Sequence, residues 1–155
     1  MGRTDYYDDP EAPPANSLIP AASAVVVDGE GRVLLHRRRD NELWALPGGV
    51  MEKGESIATT VVREVHEETG YNVEPLYVIG VYSDPKHVFA YDDGEVRQEF
   101  SVCVACQLVD GDLATSDESY EVAWFSPEVA NSLPMHHRIR ARLIDYLADV
   151  RAGLR

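Results

Sequence analysis

Gly49-Val50-Met51-Glu52-Lys53-Gly54-Glu55-Ser56-Ile57-Ala58-Thr59-Thr60-Val61-Val62-Arg63-Glu64-Val65-His66-Glu67-Glu68-Thr69-Gly70-Tyr71 reads as a glycine loop, a helix and a glycine stop. Ser56 can cap the helix by accepting an N–H of its first turn, and Gly70 suits the left-handed residue that ends one. Glu64, Glu67 and Glu68 recur at i, i+3 and i+4, so at about 100° per residue they share one flank. Ala58, Val61, Val62 and Val65 define an apolar flank roughly 120° away, expected to be buried. Like charges at this spacing cost a helix a few tenths of a kcal/mol per pair, with no return unless something positive neutralises them. A hard divalent cation such as Mg²⁺ would do so, because it prefers carboxylate oxygens and water.

Outward from this helix the chain alternates strand and turn signals. Before it, Ala21 to Asp28 and Val33 to Arg39 are apolar runs around the turn Asp28-Gly29-Glu30-Gly31, and they read as a hairpin. Asn41 to Pro47 carries a short strand with Trp44 and Leu46 into Gly48-Gly49. After the helix, Val73 to Tyr82 reads as a strand and Ser83 to Gly94 as a polar loop or hairpin tip. Val96 to Val109 reads as one long strand and Glu121 to Phe125 as the last. From Pro134, the spacing of Ile139, Leu143, Leu147, Val150 and Leu154 predicts an amphipathic helix to the C-terminus. This order implies a mixed sheet with helices packed on it, an α+β domain over residues 18–155. Residues 1–17, rich in Asp, Pro and Ala, read as a flexible arm.

A chain of 155 residues with 45% hydrophobic and 26% charged side chains is ordinary for a globular domain. Its net charge of −13 argues against a general affinity for nucleic acid or anionic membrane. The start of the chain is acidic and lacks the apolar core of a signal peptide. The two cysteines, Cys103 and Cys106, fall on opposite faces of a strand and read as reduced small hydrophobes, which suits a cytoplasmic location. His66, His87, His136 and His137 lack metal-ligand spacing and read as surface or helix-start residues.

The pattern Gly49-x5-Glu55-x7-Arg63-Glu-Val-His-Glu-Glu-Thr-Gly70 resembles the signature box of the Nudix hydrolases. Tyr71 stands where an aliphatic residue usually closes the box. Trp44-Ala-Leu-Pro-Gly-Gly before it and Trp124-Phe-Ser-Pro-Glu near the end resemble the family as well. The resemblance implies a Nudix-type α/β/α sandwich with a mixed β-sheet between helices. It implies metal-dependent hydrolysis of a pyrophosphate bond, with Mg²⁺ or Mn²⁺ as cofactor. On this sequence the metal ligands would be Glu64, Glu67, Glu68 and the Gly49 carbonyl, with Glu55 in or next to the metal shell. Arg63 would be structural, and Gly48, Gly54 and Gly70 would permit the backbone shapes of the loop and helix end.

The attacking water needs a carboxylate to orient or deprotonate it. Glu64 in the box and Glu118 in the loop Ser116-Asp117-Glu118 are both candidates, and Glu99 and Glu121 compete for the role. Arg38 and Trp44 are candidate substrate contacts, for phosphate and base respectively. The expected substrate is a small nucleotide, ADP-ribose or another nucleoside diphosphate sugar ahead of ordinary or oxidised nucleoside triphosphates. The rival reading is a non-catalytic nucleotide-sensing module. The apolar first hairpin and the arm are compatible with a homodimer, as in many relatives the resemblance brings with it.

Overall fold

In a computed structural model, residues 2–155 are described. Strand β1 (Arg3–Tyr7) is followed by β2 (Ala21–Val27), β3 (Val33–Arg38), β4 (Trp44–Ala45) and β5 (Gly48–Val50). Helix α1 (Ile57–Thr69) leads into β6 (Tyr71–Tyr82), β7 (His87–Tyr91), β8 (Val96–Gln98) and β9 (Ser101–Gly111). The chain ends with β10 (Ser119–Phe125), α2 (Pro127–Ser132), α3 (His137–Leu147) and β11 (Gly153–Leu154). The main sheet has eight strands and runs β10-β3-β2-β9-β6-β11, with β4 beside β3 and β5 beside β2. Its pairs are mixed: β2 with β9 and β6 with β11 are parallel, and the rest are antiparallel. A separate antiparallel sheet, β1-β7-β8, stands apart from it.

Period-two alternation divides the core into two layers. Ala22, Ala24, Val26, Val104 and Cys106 face Val61 and Val65 of α1. Val25, Cys103, Ala105 and Ile79 face Ala130 of α2 and Leu143 of α3. The result is helix, sheet, helix, the expected sandwich. Cys103 and Cys106 lie in opposite layers, both reduced and buried.

Several boundaries differ from the sequence reading, each for a local reason. The expected long strand from Val96 breaks at Glu99-Phe100, because the chain leaves the small sheet as β8 and enters the main sheet as β9. The expected C-terminal helix stops at Leu147, where Asp149 and Ala152 take positive φ (56° and 50°) and turn the chain back. Val150 and Leu154 therefore lie outside α3, and Leu154 sits in β11, 82% exposed. Helix α2 was not expected, although Ser126 caps it and Pro127 opens it. Residues 3–7, expected to be part of a flexible arm, form β1 with five register pairs on β7 from Arg3↔Tyr91 to Tyr7↔His87. Tyr7 then packs edge-on against His137, ring centroids 4.4 Å apart.

The buried face of α1 is also rotated from the expected one. Ser56 Oγ accepts Thr59 N–H (3.1 Å), and Gly70 ends the helix at φ 82°, as anticipated. Ala58, expected inside, is exposed, and the buried residues are Thr60, Val61, Val65, Glu68 and Thr69. The seam against the sheet thus includes a carboxylate.

Candidate active site

Strand β5 and helix α1 meet at two glycines. A Cβ at Gly48 would lie 2.7 Å from Ser23 Cα on β2, and one at Gly49 would lie 2.5 Å from Glu64 Cδ. Only a bare backbone lets Glu64 lie over the loop here. Gly48 N–H donates to Glu68 Oε1 (3.4 Å), so the deepest carboxylate of the box is drawn to the same strand. Glu67, one helical turn from Glu64, stays exposed.

Arg63 ties this region together. Its Nε and Nη2 donate to the two oxygens of Glu55 (2.7 and 2.9 Å), Nη1 donates to Glu64 (2.9 Å) and Glu67 (3.2 Å), and Nη2 also reaches the Val50 carbonyl (3.0 Å). Such a planar fork fixes carboxylates in direction as well as position. Glu55 additionally accepts Glu52 N–H (2.8 Å) and the Thr60 hydroxyl (3.1 Å). Its charge is spent on these partners, and it does not line the cleft. Glu55 thus stands bound to Arg63 behind Glu64 and Glu67 rather than open to the cleft.

Glu68 is 4% exposed and lacks compensation. Burial and the neighbouring Glu64 carboxylate push its pKa up to about 9, and burial raises that of Glu64 as well. Glu68 Oε2 has no hydrogen-bond partner. His36 Nε2 lies 3.2 Å from that oxygen but out of line for a hydrogen bond. Burial and Arg38 lower the His36 pKa to about 4, so the ring brings no charge at neutral pH. Its Nδ1 is held by Ser119 Oγ at 2.7 Å. Sequence reasoning passed over His36, which lies in an apolar run with no spacing to mark it.

These groups open into a cleft of about 700 Å³, a size suited to a small-molecule ligand. Glu64, Glu67 and Glu68 line it, and Glu118 joins them from the loop before β10, where its charge helps to raise Glu68. Arg38 and Trp44 line it too. Arg38 is bound by both ends of its fork to Asp40 (2.9 and 2.7 Å), and Trp44 is packed edge-on against Phe125 at 4.9 Å between centroids. Gly54 takes φ 87° in the loop, a conformation that favours glycine. Glu121 does not line the cleft, and it faces Arg37 at 3.5 Å instead.

Glu99 lines the cleft but is committed elsewhere. It is 2% exposed and is held by Arg138 (2.5 and 3.3 Å), Arg142 (3.4 Å) and Asp84 N–H (3.1 Å). Burial opposes its charge, yet His87 and the arginines keep its pKa down to about 2. His87, expected at the surface, is buried beside it at 3.1 Å. His136 caps α3 by accepting Arg138 N–H (3.2 Å), as a helix-start histidine should.

A family model described as NUDIX domain matches residues 17–147. The chain belongs to the Nudix family. Over 146 residues it is 37% identical to a MutT-like protein of Streptomyces ambofaciens, covering 92% of this chain and 86% of that protein. It is 34% identical over 118 residues to an ADP-ribose pyrophosphatase of Methanocaldococcus jannaschii, covering 72% of this chain and 64% of the archaeal protein. A NUDIX hydrolase from Nitrosomonas europaea shares the fold with a TM-score of 0.70 at 23% identity, over 88% of this chain and 93% of that one. The protein is thus a Nudix hydrolase, and the matched region contains the whole run from Gly49 to Tyr71. Among the described residues no helix is long and apolar enough to cross a membrane.

Proposed function

We propose that this Nudix hydrolase splits the pyrophosphate bond of a small nucleotide, ADP-ribose or another nucleoside diphosphate sugar ahead of nucleoside triphosphates. Glu64, Glu67, Glu68 and the Gly49 carbonyl would hold a divalent cation, Mg²⁺ or Mn²⁺. One observation carries the reading: Glu64 and the buried Glu68 converge over a bare glycine backbone, with Glu68 Oε2 unpartnered. An all-oxygen donor set short of positive charge fits a hard cation. The nucleotide-sugar preference draws on the likeness to the archaeal ADP-ribose pyrophosphatase.

When bound, the cation would offset the charge of the diphosphate and polarise its phosphoryl oxygen. The chain's own residues supply the rest. Arg63 fixes the carboxylates, so little reorganisation is needed at the moment of reaction. Water attacks one phosphorus in line while the other phosphate leaves. Glu118, on the cleft wall, accepts the proton of that water, a role for which Glu64 is the alternative. Arg38 offers its guanidinium to a phosphate, and Trp44 offers a ring edge to the base.

The test is phosphate release, with a coupled phosphatase, from a panel of nucleotide sugars, dinucleotides and triphosphates with each metal. Turnover of a nucleotide sugar that is lost in Glu68→Gln supports the reading. Release from triphosphates alone moves the substrate to that class. No release from any member with either metal favours a module that binds nucleotides without catalysis.

A further inference from the structure

In the same cleft, three potential metal ligands that are not box residues converge from three elements. They are Asp5 on β1, His87 at the start of β7 and His136 at the cap of α3, and all three line the cleft. Their ligand atoms lie within 4.8 Å of one another. His87 Nε2 is 3.8 Å and His136 Nε2 is 3.9 Å from the same oxygen, Asp5 Oδ2. The two rings stack with planes 10° apart and centroids 5.3 Å apart.

Two features distinguish this group from a chance meeting of polar side chains. His87 is 4% exposed and its Nε2 has no hydrogen-bond partner, although a buried polar atom left unpaired typically costs about 1–3 kcal/mol. Its other nitrogen, Nδ1, is 3.1 Å from Glu99 Oε2. In the neutral ring that contact places the proton on Nδ1 and leaves the Nε2 lone pair facing Asp5. A carboxylate behind one imidazole nitrogen is the usual means of orienting the other toward a metal. Glu99 is itself fixed by Arg138, Arg142 and a backbone N–H.

We propose that Asp5, His87 and His136 form a second metal site, separate from the carboxylate box, for a first-row transition ion with Zn²⁺ foremost. Two imidazoles and one carboxylate suit Zn²⁺ and its neighbours better than Mg²⁺. Three protein ligands would leave a fourth coordination position to water or a ligand from the cleft that all three line. Ligands at about 2.0 Å on a tetrahedral ion stand roughly 3.3 Å apart, so the two Nε2–Oδ2 distances need to close by about half an ångström.

Binding has three local costs. Arg3 donates to both oxygens of Asp5 (2.7 and 3.0 Å) and must share Oδ2 with the ion. The His136 ring must give up the 3.2 Å bond it accepts from Arg138 N–H, so that Nε2 can present a lone pair. The ion also displaces the alternative occupant of His87 Nε2, a proton. Burial of the ring disfavours that proton, and Asp5 and Glu99 favour it more strongly.

This inference does not rest on the proposed reaction. The full chain carrying Glu64→Gln and Glu68→Gln is titrated calorimetrically with Zn²⁺ alone, and with Co²⁺ while visible d–d absorption is followed. Wild-type chain in excess Mg²⁺ serves as the second preparation. The expected result is one equivalent of Zn²⁺ in both, and a Co²⁺ spectrum of nitrogen-containing, low-symmetry coordination. His136→Gln should remove the binding, and Asp5→Asn, on a β1 side chain outside the main core, should weaken it at least about tenfold. Absence of Zn²⁺ uptake in both preparations overturns the site. So does uptake unchanged by Asp5→Asn and His136→Gln, since the ion would then be bound elsewhere.

Discussion

Replacing Glu68 with Gln should make the metal-free protein more stable while ending its turnover. The carboxyl group is 4% exposed, and its pKa is raised from the ordinary 4.5 to about 9 by burial and by Glu64. An acid whose folded pKa lies above its unfolded one loses stability as pH rises through the interval between them. From pH 4.5 to pH 7, at about 1.4 kcal/mol per pH unit, the loss reaches roughly 3 kcal/mol for Glu68 and its neighbour titrating as a pair. Glutamine removes that loss. Its oxygen can keep the Gly48 N–H, and its amide can donate to Glu64. Thermal unfolding in EDTA should therefore place Glu68→Gln about 6–12 °C above wild type at pH 7 and level with it near pH 4.5. Mg²⁺ at a hundred times its dissociation constant should stabilise wild type by about 2.7 kcal/mol and the variant hardly at all. A variant no more stable than wild type at pH 7, or equally more stable at both pH values, would refute the argument that these carboxylates are strained without a cation.

Three other substitutions probe neighbouring groups. Glu118→Gln should lower kcat by about a hundredfold or more with an unchanged melting temperature, and an unchanged rate would remove Glu118 from the mechanism. Arg63→Lys keeps the charge but loses the fork to Glu55, so activity should fall about 10- to 100-fold and apparent Mg²⁺ affinity should fall with it; full activity would show that direction does not matter here. Glu99→Gln leaves Arg138 and Arg142 facing a neutral amide and should destabilise by about 3 kcal/mol at pH 7 by urea unfolding. Because the Glu99 pKa is held down to about 2, the stability it confers is present above pH 4.5 and lost as pH falls towards 2. The variant should lack that part of the acid dependence, and an identical pH profile would contradict the pairing.

The helix that carries the three glutamates was legible because its geometry is local. Helix spacing alone brings Glu64, Glu67 and Glu68 to one side, and Ser56 and Gly70 mark the ends they occupy in the fold. The alternation that separates Cys103 from Cys106 was equally local. What escaped depends on pairing between distant segments. Nothing near Arg3 shows that His87 lies eighty-four positions away in the strand beside it, so β1 read as an arm. The partners of Glu99, Arg138 and Arg142, sit one turn apart on a helix about forty residues on, where they resemble solvated charges. His36 met Glu68 only through the sheet. At Ala58 the apolar pattern of α1 points to a face that stays exposed, because the fold turns Thr60 and Glu68 inward instead.

The break at Glu99-Phe100 marks where the chain leaves one sheet for the other. β1, β7 and β8 form a ladder of their own, and the chain passes between it and the main sheet from β1 to β2, from β6 to β7 and, at this break, from β8 to β9. The register that sets Gly48 against Ser23, and so brings the carboxylates of α1 to the strand, is made by β2 and β5, with no strand of the small sheet in it. A shift of β1, β7 or β8 would therefore reach that pairing through connecting segments and side chains, not through a shared ladder of hydrogen bonds.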